Sequence, residues 1–350
     1  MRRLKSLVQR VIRSFLMTGH TFFLYRSYER VFLEPLLAWE PDIVHSHDGV
    51  TLPTAAKAAK RLGAKLIFDS HELEVHRSPP LSRTRKMQVR RMEKKYLPQA
   101  DRVITVTELA ADYLSHEYGI ARPTVLFNAP PAGTYPVPDK WNVFDRPDVR
   151  ADIGLPKNHF LLVYTGNITR NRGLELDILA LSRVQDFKDP NERFSSQVHL
   201  AAVGKVQGST DVVVQRLAKA YGLEGRVHLL PPVAAHNVAK YVSTADASII
   251  PIMPVTLSYE MAMPNKLFEA TLSGNPIISS DLVEMGAFVE NHELGLTYRA
   301  DDVDHCAERI LEMITRYSEF ERDAKRQREL ENAWAWEAQE RKLFELYENL

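Results

Sequence analysis

Two glycine-containing segments of the chain carry charged side chains where a strand is expected to meet a helix. The first runs from Tyr164 to Glu175 and contains Gly166, Arg172 and Gly173. A glycine in such a turn lets backbone N–H groups approach a phosphate, and the helix N-terminus adds roughly half a positive charge. Because similar turns are also common as plain connections, this segment alone leaves the ordinary turn open as an alternative.

The second segment, residues 263–277, places a lysine and a glutamate near the start of a predicted helix. Its sequence is Met-Pro-Asn-Lys-Leu-Phe-Glu-Ala-Thr-Leu-Ser-Gly-Asn-Pro-Ile. A carboxylate such as that of Glu269 accepts two hydrogen bonds from hydroxyls, and charged acceptors bind more strongly than neutral ones. The alternative is a plain amphipathic helix with a surface glutamate. The spacing of proline, lysine, glutamate, glycine and proline favours a binding site.

Polar residues also follow two short apolar runs in the first half of the chain. His47 and Asp48 come after one run, and His71 and Glu72 come after the next. Ligands of parallel sheets bind at the carboxyl ends of strands, so these side chains are candidates for a catalytic site. For each of them the alternative is a polar group that satisfies the backbone at a strand end.

Short β-branched runs alternate with helix-like stretches, which is typical of parallel strands joined by crossover helices. The predicted strands are Ile43–His45, Lys65–Asp69, Arg102–Val106, Phe160–Thr165, Val198–Val203, Val227–Leu230, Ala247–Ile252 and Pro276–Ser279. The predicted helices of the first half are Thr54–Leu62 and Arg83–Tyr96. Prolines do not suit helix interiors, so the proline-rich segment Ala129–Asn158 predicts a boundary between two α/β domains.

Length and composition agree with two ordinary globular domains. The chain has 350 residues, 45% apolar and 26% charged, and no apolar run approaches the roughly 20 residues that span a bilayer. Cys306 is the only cysteine, which excludes an intrachain disulfide and favours a reducing cytosol. Residues 1–128 carry 21 Lys and Arg against 13 Asp and Glu, and the rest carries 24 against 32. This asymmetry indicates an anionic surface or substrate near the first half and argues against a general nucleic-acid partner.

The N-terminus predicts a basic amphipathic helix. Apolar residues between Leu4 and Leu16 fall on one half of a helical wheel. The other half carries Arg2, Arg3, Arg10 and Arg13. A second basic cluster lies between Arg83 and Lys95, and together the two favour contact with anionic lipid on the cytoplasmic side. The alternative is a first helix packed on the core and followed by a strand at 21–25.

The segment from Tyr164 to Glu175 resembles the first turn of the C-terminal domain in family 4 glycosyltransferases of the GT-B fold. Gly166, Arg172 and Gly173 match the glycine, the basic residue and the final glycine that hold a diphosphate in that family. Asn167 stands where the family usually has arginine. The resemblance implies two Rossmann-like domains that face each other across a cleft, with a nucleotide sugar bound by the second.

The segment 263–277 resembles the signature of the same family. The resemblance implies that Glu269 binds the ribose, and that Lys266 faces the diphosphate together with the backbone of Asn265, Leu267 and Phe268. The family often has a second glutamate eight positions before the first. Met261 occupies that position here, and Glu260 is one place out of register.

The first half resembles the first domain of the family more weakly. The matching motifs are Pro41–Asp48, Phe68–Glu72, Ala100–Thr107 and Val125–Asn128. The resemblance places His71 beside the donor sugar as the first catalytic candidate, followed by His47, Asp48 and Glu72. The family's first strand, with its glycine-rich loop, has no match. We therefore expect a first domain that is shortened at its N-terminus, lacks a piece, or is completed by another chain.

The resemblance implies a retaining, metal-independent transferase that moves a sugar from a nucleoside diphosphate sugar to a hydroxyl of a glycan, lipid-linked or small-molecule acceptor, as in polysaccharide biosynthesis. The donor is a co-substrate, and no cofactor is expected. Asp302 and Asp304 are the only local candidate for a metal-binding pair of aspartates. They are better explained as the start of a helix, where acidic side chains interact favourably with the helix dipole. The expected domains are 1–140 and 141–319, with a helix at 320–350 that crosses back. The alternatives are a sugar-nucleotide epimerase and a non-catalytic subunit.

Overall fold

The fold is described from a computed structural model, in residues 23–132, 148–169, 172–185, 187–195 and 197–350. The chain divides into two units. The first contains the described residues up to Leu126 together with Thr256–Met261 and Lys342–Leu350, and the second contains the described residues of Phe127–Val255 and Ala262–Arg341. The predicted boundary after residue 140 and the basic N-terminal residues Arg2, Arg3, Arg10 and Arg13 lie outside the described residues.

The first unit is built on a parallel sheet of four strands in the order β1-β2-β3-β4. The strands are β1 (Ile43–His47), β2 (Lys65–Ser70), β3 (Arg102–Thr105) and β4 (Thr124–Val125). The helices are α1 (23–39), α2 (Asp48–Leu62), α3 (Arg83–Tyr96) and α4 (Glu108–Tyr118). The predicted alternation of strand and helix is therefore confirmed in this unit.

The core of the first unit explains why these elements form where they do. Leu66 and Phe68 of β2 are buried against small side chains of α2 such as Ala55 and Ala59. Parallel strands covered by helices lose the alternation of polar and apolar residues, so β2 is recognisable as a continuous apolar run.

Several boundaries of the first unit differ from the prediction. Strand β1 continues to His47, because its backbone stays paired with β2 up to the His47–Asp69 pair. Helix α2 begins at Asp48, six residues before the predicted start, with Pro53 inside it. The strand considered at 21–25 is wrong for residues 23–25, since these begin α1. Helical spacing in α1 directs Tyr25 and Leu33 towards the core.

The second unit contains a parallel sheet of six strands in the order β10-β9-β8-β5-β6-β7. The strands are β5 (Phe160–Thr165), β6 (Val198–Val203), β7 (Val227–Leu230), β8 (Ala247–Ile250), β9 (Ile277–Ser280) and β10 (Gly295–Tyr298). The remaining helices of the chain are α5 (Val149–Asp152), α6 (Leu174–Arg183), α7 (Thr210–Ala220), α8 (Val238–Val242), α9 (Leu257–Glu260), α10 (Asn265–Ser273), α11 (Val283–Asn291), α12 (Val303–Thr315), α13 (Tyr317–Phe320), α14 (Ala324–Trp334) and α15 (Trp336–Glu348).

The C-terminal segment forms two long helices where the sequence predicts one. Helix α14 ends before Ala335, whose backbone is extended with ψ 167°. The N–H of Trp336 then donates to the carbonyl of Pro130 at 3.0 Å, which anchors the break. In α15, Leu346 is buried with Ile67 and Ile104 of the first unit's sheet.

A buried carboxyl group lies inside the first unit. Glu93 of α3 is only 4% exposed, and the hydroxyl of Tyr118 donates a hydrogen bond to it. Burial raises the pKa of Glu93 from 4.5 to about 7, although the Tyr118 hydrogen bond acts in the opposite direction. The carboxylate is therefore charged in the unfolded chain at pH values where the folded chain still holds its proton.

We predict that Glu93→Gln stabilises the protein at alkaline pH. A carboxyl group whose pKa is raised on folding costs stability as the pH increases from 4.5 to about 7, by up to about 3 kcal/mol in total. Calorimetric melting should therefore show a higher Tm for the variant than for the wild type at pH 8, and almost equal values at pH 5. The exposed Glu34→Gln is the control, and an equal shift in both variants would contradict the assignment.

Candidate functional site

The sheet of the second unit has a topological switch point between β5 and β8. The chain proceeds from β5 to β6 and β7 on one side, then returns to place β8, β9 and β10 on the other side. The loops that follow β5 and β8 therefore leave the sheet in opposite directions and open a crevice at its carboxyl edge. Such crevices are where open α/β sheets bind their ligands.

Glycines allow the loop after β5 to approach its neighbours closely. Gly166 and Gly173 have φ values of +104° and +87°, which disfavour a side chain. A Cβ atom at position 173 would lie 1.8 Å from the carbonyl oxygen of Pro251, the residue after β8. Gly173 is also the N-cap of α6, and no side chain caps that helix. The loop thus places the start of α6 directly at the switch point.

Lys266 lies in the first turn of α10, beside the same loop. Its side chain is only 7% exposed. The Nζ atom is 3.6 Å from the centre of the Tyr164 ring. A Cβ atom built on Gly166 would be 4.0 Å from that nitrogen. Within the described residues, the ammonium has no hydrogen-bond partner.

The surroundings of Lys266 disfavour its charge in the absence of an anion. Burial lowers its pKa to about 7, and the positive charge of Arg172 contributes to the decrease, whereas Asp177 and Glu269 oppose it. Asp177 is 1% exposed, and its carboxylate has no hydrogen-bond partner among the described residues. Burial raises the pKa of Asp177 well above its usual range. A phosphate group beside Lys266 and Arg172 would stabilise both cations.

Glu269 follows Lys266 by three residues, so both project from the same side of α10. The hydroxyl of Thr165, at the end of β5, donates to Oε2 of Glu269 at 2.7 Å. Burial raises the pKa of the carboxyl, and the Thr165 hydrogen bond and Lys266 partly offset this. Thr165, at the end of β5, therefore orients the Glu269 carboxylate. A carboxylate in this position is able to accept hydrogen bonds from sugar hydroxyls.

The other residues expected in this site take different positions. The Asn167 side chain is exposed. The backbone carbonyl oxygen of Asn167 accepts a hydrogen bond from the Tyr164 hydroxyl at 2.9 Å. Asn265 is exposed, whereas the Leu267 side chain is fully buried in the core. The structure thus brings Gly166, Arg172, Gly173, Lys266 and Glu269 to one edge of the sheet, and directs the Leu267 side chain away from it.

The polar residues at the strand ends of the first unit also lie together. Nδ1 of His47 is 3.2 Å from Nε2 of His71 and 3.3 Å from Oδ2 of Asp69. Nδ1 of His71 is 3.5 Å from Oδ1 of Asp48. Glu72 is directed differently, and its Oε1 is 3.5 Å from Nε of Arg77. His47, Asp48 and His71 are therefore one cluster, and Glu72 is at its margin.

Several polar groups of these two sites were not singled out by sequence reasoning. In the second unit these are Tyr164, Thr165 and Asp177. In the first unit, Asp69 joins the histidine cluster, and His45 Nδ1 is 2.6 Å from the hydroxyl of Tyr347. Burial lowers the pKa of His45. The register of β1 with β2 could have indicated Asp69, because it pairs His47 with that residue.

Comparison with known proteins places both units in one class. A family model described as Glycosyltransferase Family 4 matches residues 2–129, and one described as Glycosyl transferases group 1 matches residues 159–316. D-inositol 3-phosphate glycosyltransferase of Rhodococcus erythropolis is 25% identical over 87% of this chain and 67% of its own length. The enzyme of that name from Nocardiopsis dassonvillei is 25% identical over 78% of this chain. This chain spans less than two thirds of that relative, since the match covers 62% of it.

Solved structures support the same fold. Sucrose-phosphate synthase from Thermosynechococcus elongatus superposes with a TM-score of 0.71 at 21% identity, covering 91% of this chain and 77% of that chain. The Anabaena protein HepE in complex with UDP gives a TM-score of 0.68 at 18% identity, covering 90% and 82%. With two parallel-sheet units, these matches show the GT-B fold, and the two family models identify the chain as a glycosyltransferase. Within that class, the chain is a family 4-like glycosyltransferase. The epimerase and non-catalytic alternatives are not favoured.

Proposed function

We propose that the chain transfers a sugar from a nucleoside diphosphate sugar, and that the second unit binds the nucleotide. The observation that carries this proposal is the buried Lys266 ammonium, which faces an open loop without a hydrogen-bond partner among the described residues. An isolated buried charge is costly, so the site suits an anion that completes it. HepE, which shares the fold, is described with bound UDP.

The chemistry of transfer fits these groups. Breaking the bond between the anomeric carbon and the phosphate oxygen leaves negative charge on the diphosphate and positive character on the sugar. Lys266, Arg172 and the N-terminal ends of α6 and α10 stabilise the leaving diphosphate electrostatically. Glu269, held by Thr165, accepts the ribose hydroxyls. These charges take the place of the divalent ion that other transferases use, so the reaction is metal-independent.

The remaining roles follow from the family resemblance. The resemblance assigns His71 to the donor sugar, with Asp48 and Glu72 as secondary candidates; Nδ1 of His71 lies 3.5 Å from Oδ1 of Asp48. The configuration at the anomeric carbon is retained, and the leaving phosphate accepts the proton of the acceptor hydroxyl. The acceptor is a glycan, a lipid-linked sugar or a small polyol. Two relatives of this chain are described as D-inositol 3-phosphate glycosyltransferases.

We expect Lys266→Met to weaken UDP binding and to change its pH dependence. Loss of a charge-assisted contact should raise Kd roughly tenfold or more at pH 6.5. Because the pKa of Lys266 is about 7 in the free protein, wild-type affinity should fall as the pH rises above 7, by up to roughly tenfold per unit. The variant should lack this additional decrease. Isothermal titration calorimetry between pH 6 and 8.5 measures both effects.

Two further variants test the specificity of this result. Glu269→Gln should also weaken UDP binding by roughly tenfold, since an amide accepts hydroxyl hydrogen bonds less strongly than a carboxylate. Lys219→Met, at an exposed position of α7, should bind like the wild type. Unchanged affinity in both site variants would refute the nucleotide site.

Product analysis distinguishes transfer from the alternatives. Thermal-shift screening with UDP-, GDP-, ADP- and dTDP-sugars should identify a donor, because a bound ligand stabilises the folded state. With that donor and candidate hydroxyl acceptors, we expect a glycosylated product in excess chelator. Conversion of the donor to its epimer without an acceptor would contradict the proposal. Strict dependence on Mn²⁺ would contradict the metal-independent mechanism.

We further propose that the protein works at the cytoplasmic face of an anionic membrane. Helix α3 exposes Arg83, Arg90, Arg91, Lys94 and Lys95, and its only acid, Glu93, is buried. The exposed charged residues of this helix are therefore all basic, although Arg90 pairs with Glu117, and the sequence indicates a second basic face at the N-terminus. In the described residues, no helix is both long and apolar enough to cross a bilayer.

Vesicle sedimentation tests this membrane proposal. The protein should bind vesicles containing phosphatidylserine more strongly than vesicles of phosphatidylcholine alone, since each basic residue near the surface contributes about 1 kcal/mol. Arg91→Glu with Lys94→Glu should reduce the binding at least tenfold. The matched pair Arg216→Glu with Lys219→Glu, on exposed positions of α7, should not. Equal binding to both kinds of vesicle would rule the proposal out.

A further inference from the structure

Three side-chain atoms in the first unit form a nearly equilateral triangle. Nδ1 of His47 lies 3.2 Å from Nε2 of His71. Oδ2 of Asp69 lies 3.3 Å from Nδ1 of His47 and 3.4 Å from Nε2 of His71. His47 and Asp69 are paired across β1 and β2, so two corners belong to adjacent positions of a buried parallel sheet.

One hydrogen bond joins His47 and His71, and the contacts of both nitrogens with Asp69 at 3.3 and 3.4 Å are additional to it. A neutral imidazole has one N–H, which points in a single direction. If Nδ1 of His47 and Nε2 of His71 both donate to Asp69, no proton lies between these two nitrogens, although they are only 3.2 Å apart. If His47 and His71 share a proton, at most one of them donates to the carboxylate. A cation bound by all three atoms satisfies the three contacts at the same time.

We propose that His47, His71 and Asp69 bind a zinc ion. Zinc binds imidazole nitrogen and carboxylate oxygen at about 2.0 to 2.1 Å in tetrahedral geometry, which places neighbouring ligand atoms about 3.3 Å apart. The triangle has edges of this length. Two imidazoles and one carboxylate are a donor set that suits zinc, and three protein ligands leave a fourth position for water.

The groups around the triangle support the same assignment. Metal-binding histidines usually donate their second N–H to a carboxylate or a carbonyl group. Nδ1 of His71 lies 3.5 Å from Oδ1 of Asp48, which leaves Nε2 for the metal. His45 is a further donor, since its ligand atom and those of His47 and Asp69 all lie within 4.8 Å of one another. The Tyr347 hydroxyl contacts Nδ1 of His45, and Nε2 has no partner among the described residues.

The site is accessible to an ion from solution. The side chains of His47 and His71 are 53% and 42% exposed, whereas that of Asp69 is 17% exposed. Substitution of either histidine therefore removes little buried surface, and the variants are expected to fold.

Zinc titration of the chelator-treated full chain tests this proposal. With a chromophoric zinc indicator as competitor, we expect one zinc ion per wild-type chain. His47→Ala and His71→Ala should each weaken binding by roughly 100-fold, and Asp48→Asn by roughly tenfold. His116→Ala, an exposed histidine of α4, is the matched control and should leave the affinity unchanged. Cobalt in place of zinc should give the intense visible absorption of a tetrahedral site, and His47→Ala should lose it.

The result that overturns the proposal is equally direct. Failure of the wild type to bind zinc at micromolar concentration would refute it, and so would equal affinity in His47→Ala, His71→Ala and the control. Circular dichroism melting verifies that each variant is folded. One consequence rests on the proposed function: because a metal on His71 occupies the imidazole assigned to the donor sugar, zinc should inhibit transfer and a chelator should restore it. The binding measurement itself does not depend on transferase activity.

Discussion

A buried ammonium group is stable only where other groups compensate for the water it has lost, and the second unit contains one at Lys266. The Tyr164 ring near the end of β5 lies against it, and the carboxylates of buried Asp177 and half-buried Glu269 act on it electrostatically. Within the described residues, neither carboxylate forms a hydrogen bond to the nitrogen, so the protein compensates the charge only in part. The partly compensated charge is the reason for proposing that an anion binds at this edge of the sheet.

The topology of the sheet explains how such a group can be positioned without a flexible loop. Strands β5 and β8 are neighbours, yet the chain leaves them in opposite directions, so the loop carrying Gly173 meets the loop carrying Pro251 at the carboxyl edge. Glycine permits that approach because a Cβ atom would overlap the Pro251 carbonyl. The position of the start of α6 beside β8 thus depends on a backbone contact that only glycine permits.

Continuous apolar runs decided which strands sequence reasoning could locate. Strands β5 and β6 are buried at every position, and their apolar runs predicted their bounds. Strand β10 was missed because it is short and starts at a glycine, which is uncommon in strands. The early start of α2 was missed because Pro53 is typical of a first helical turn, whereas it lies inside the helix.

The sequence by itself determined the order of strands and helices, the glycine turn and the Lys266–Glu269 spacing, because these are local patterns of hydrophobicity, backbone freedom and helix periodicity. Only the tertiary structure decided which distant groups meet. Asp177 acts on Lys266 across two helices, and His47 meets Asp69 and His71 because two strands pair in a particular register. Such meetings depend on packing between segments far apart in the chain, which no local pattern encodes.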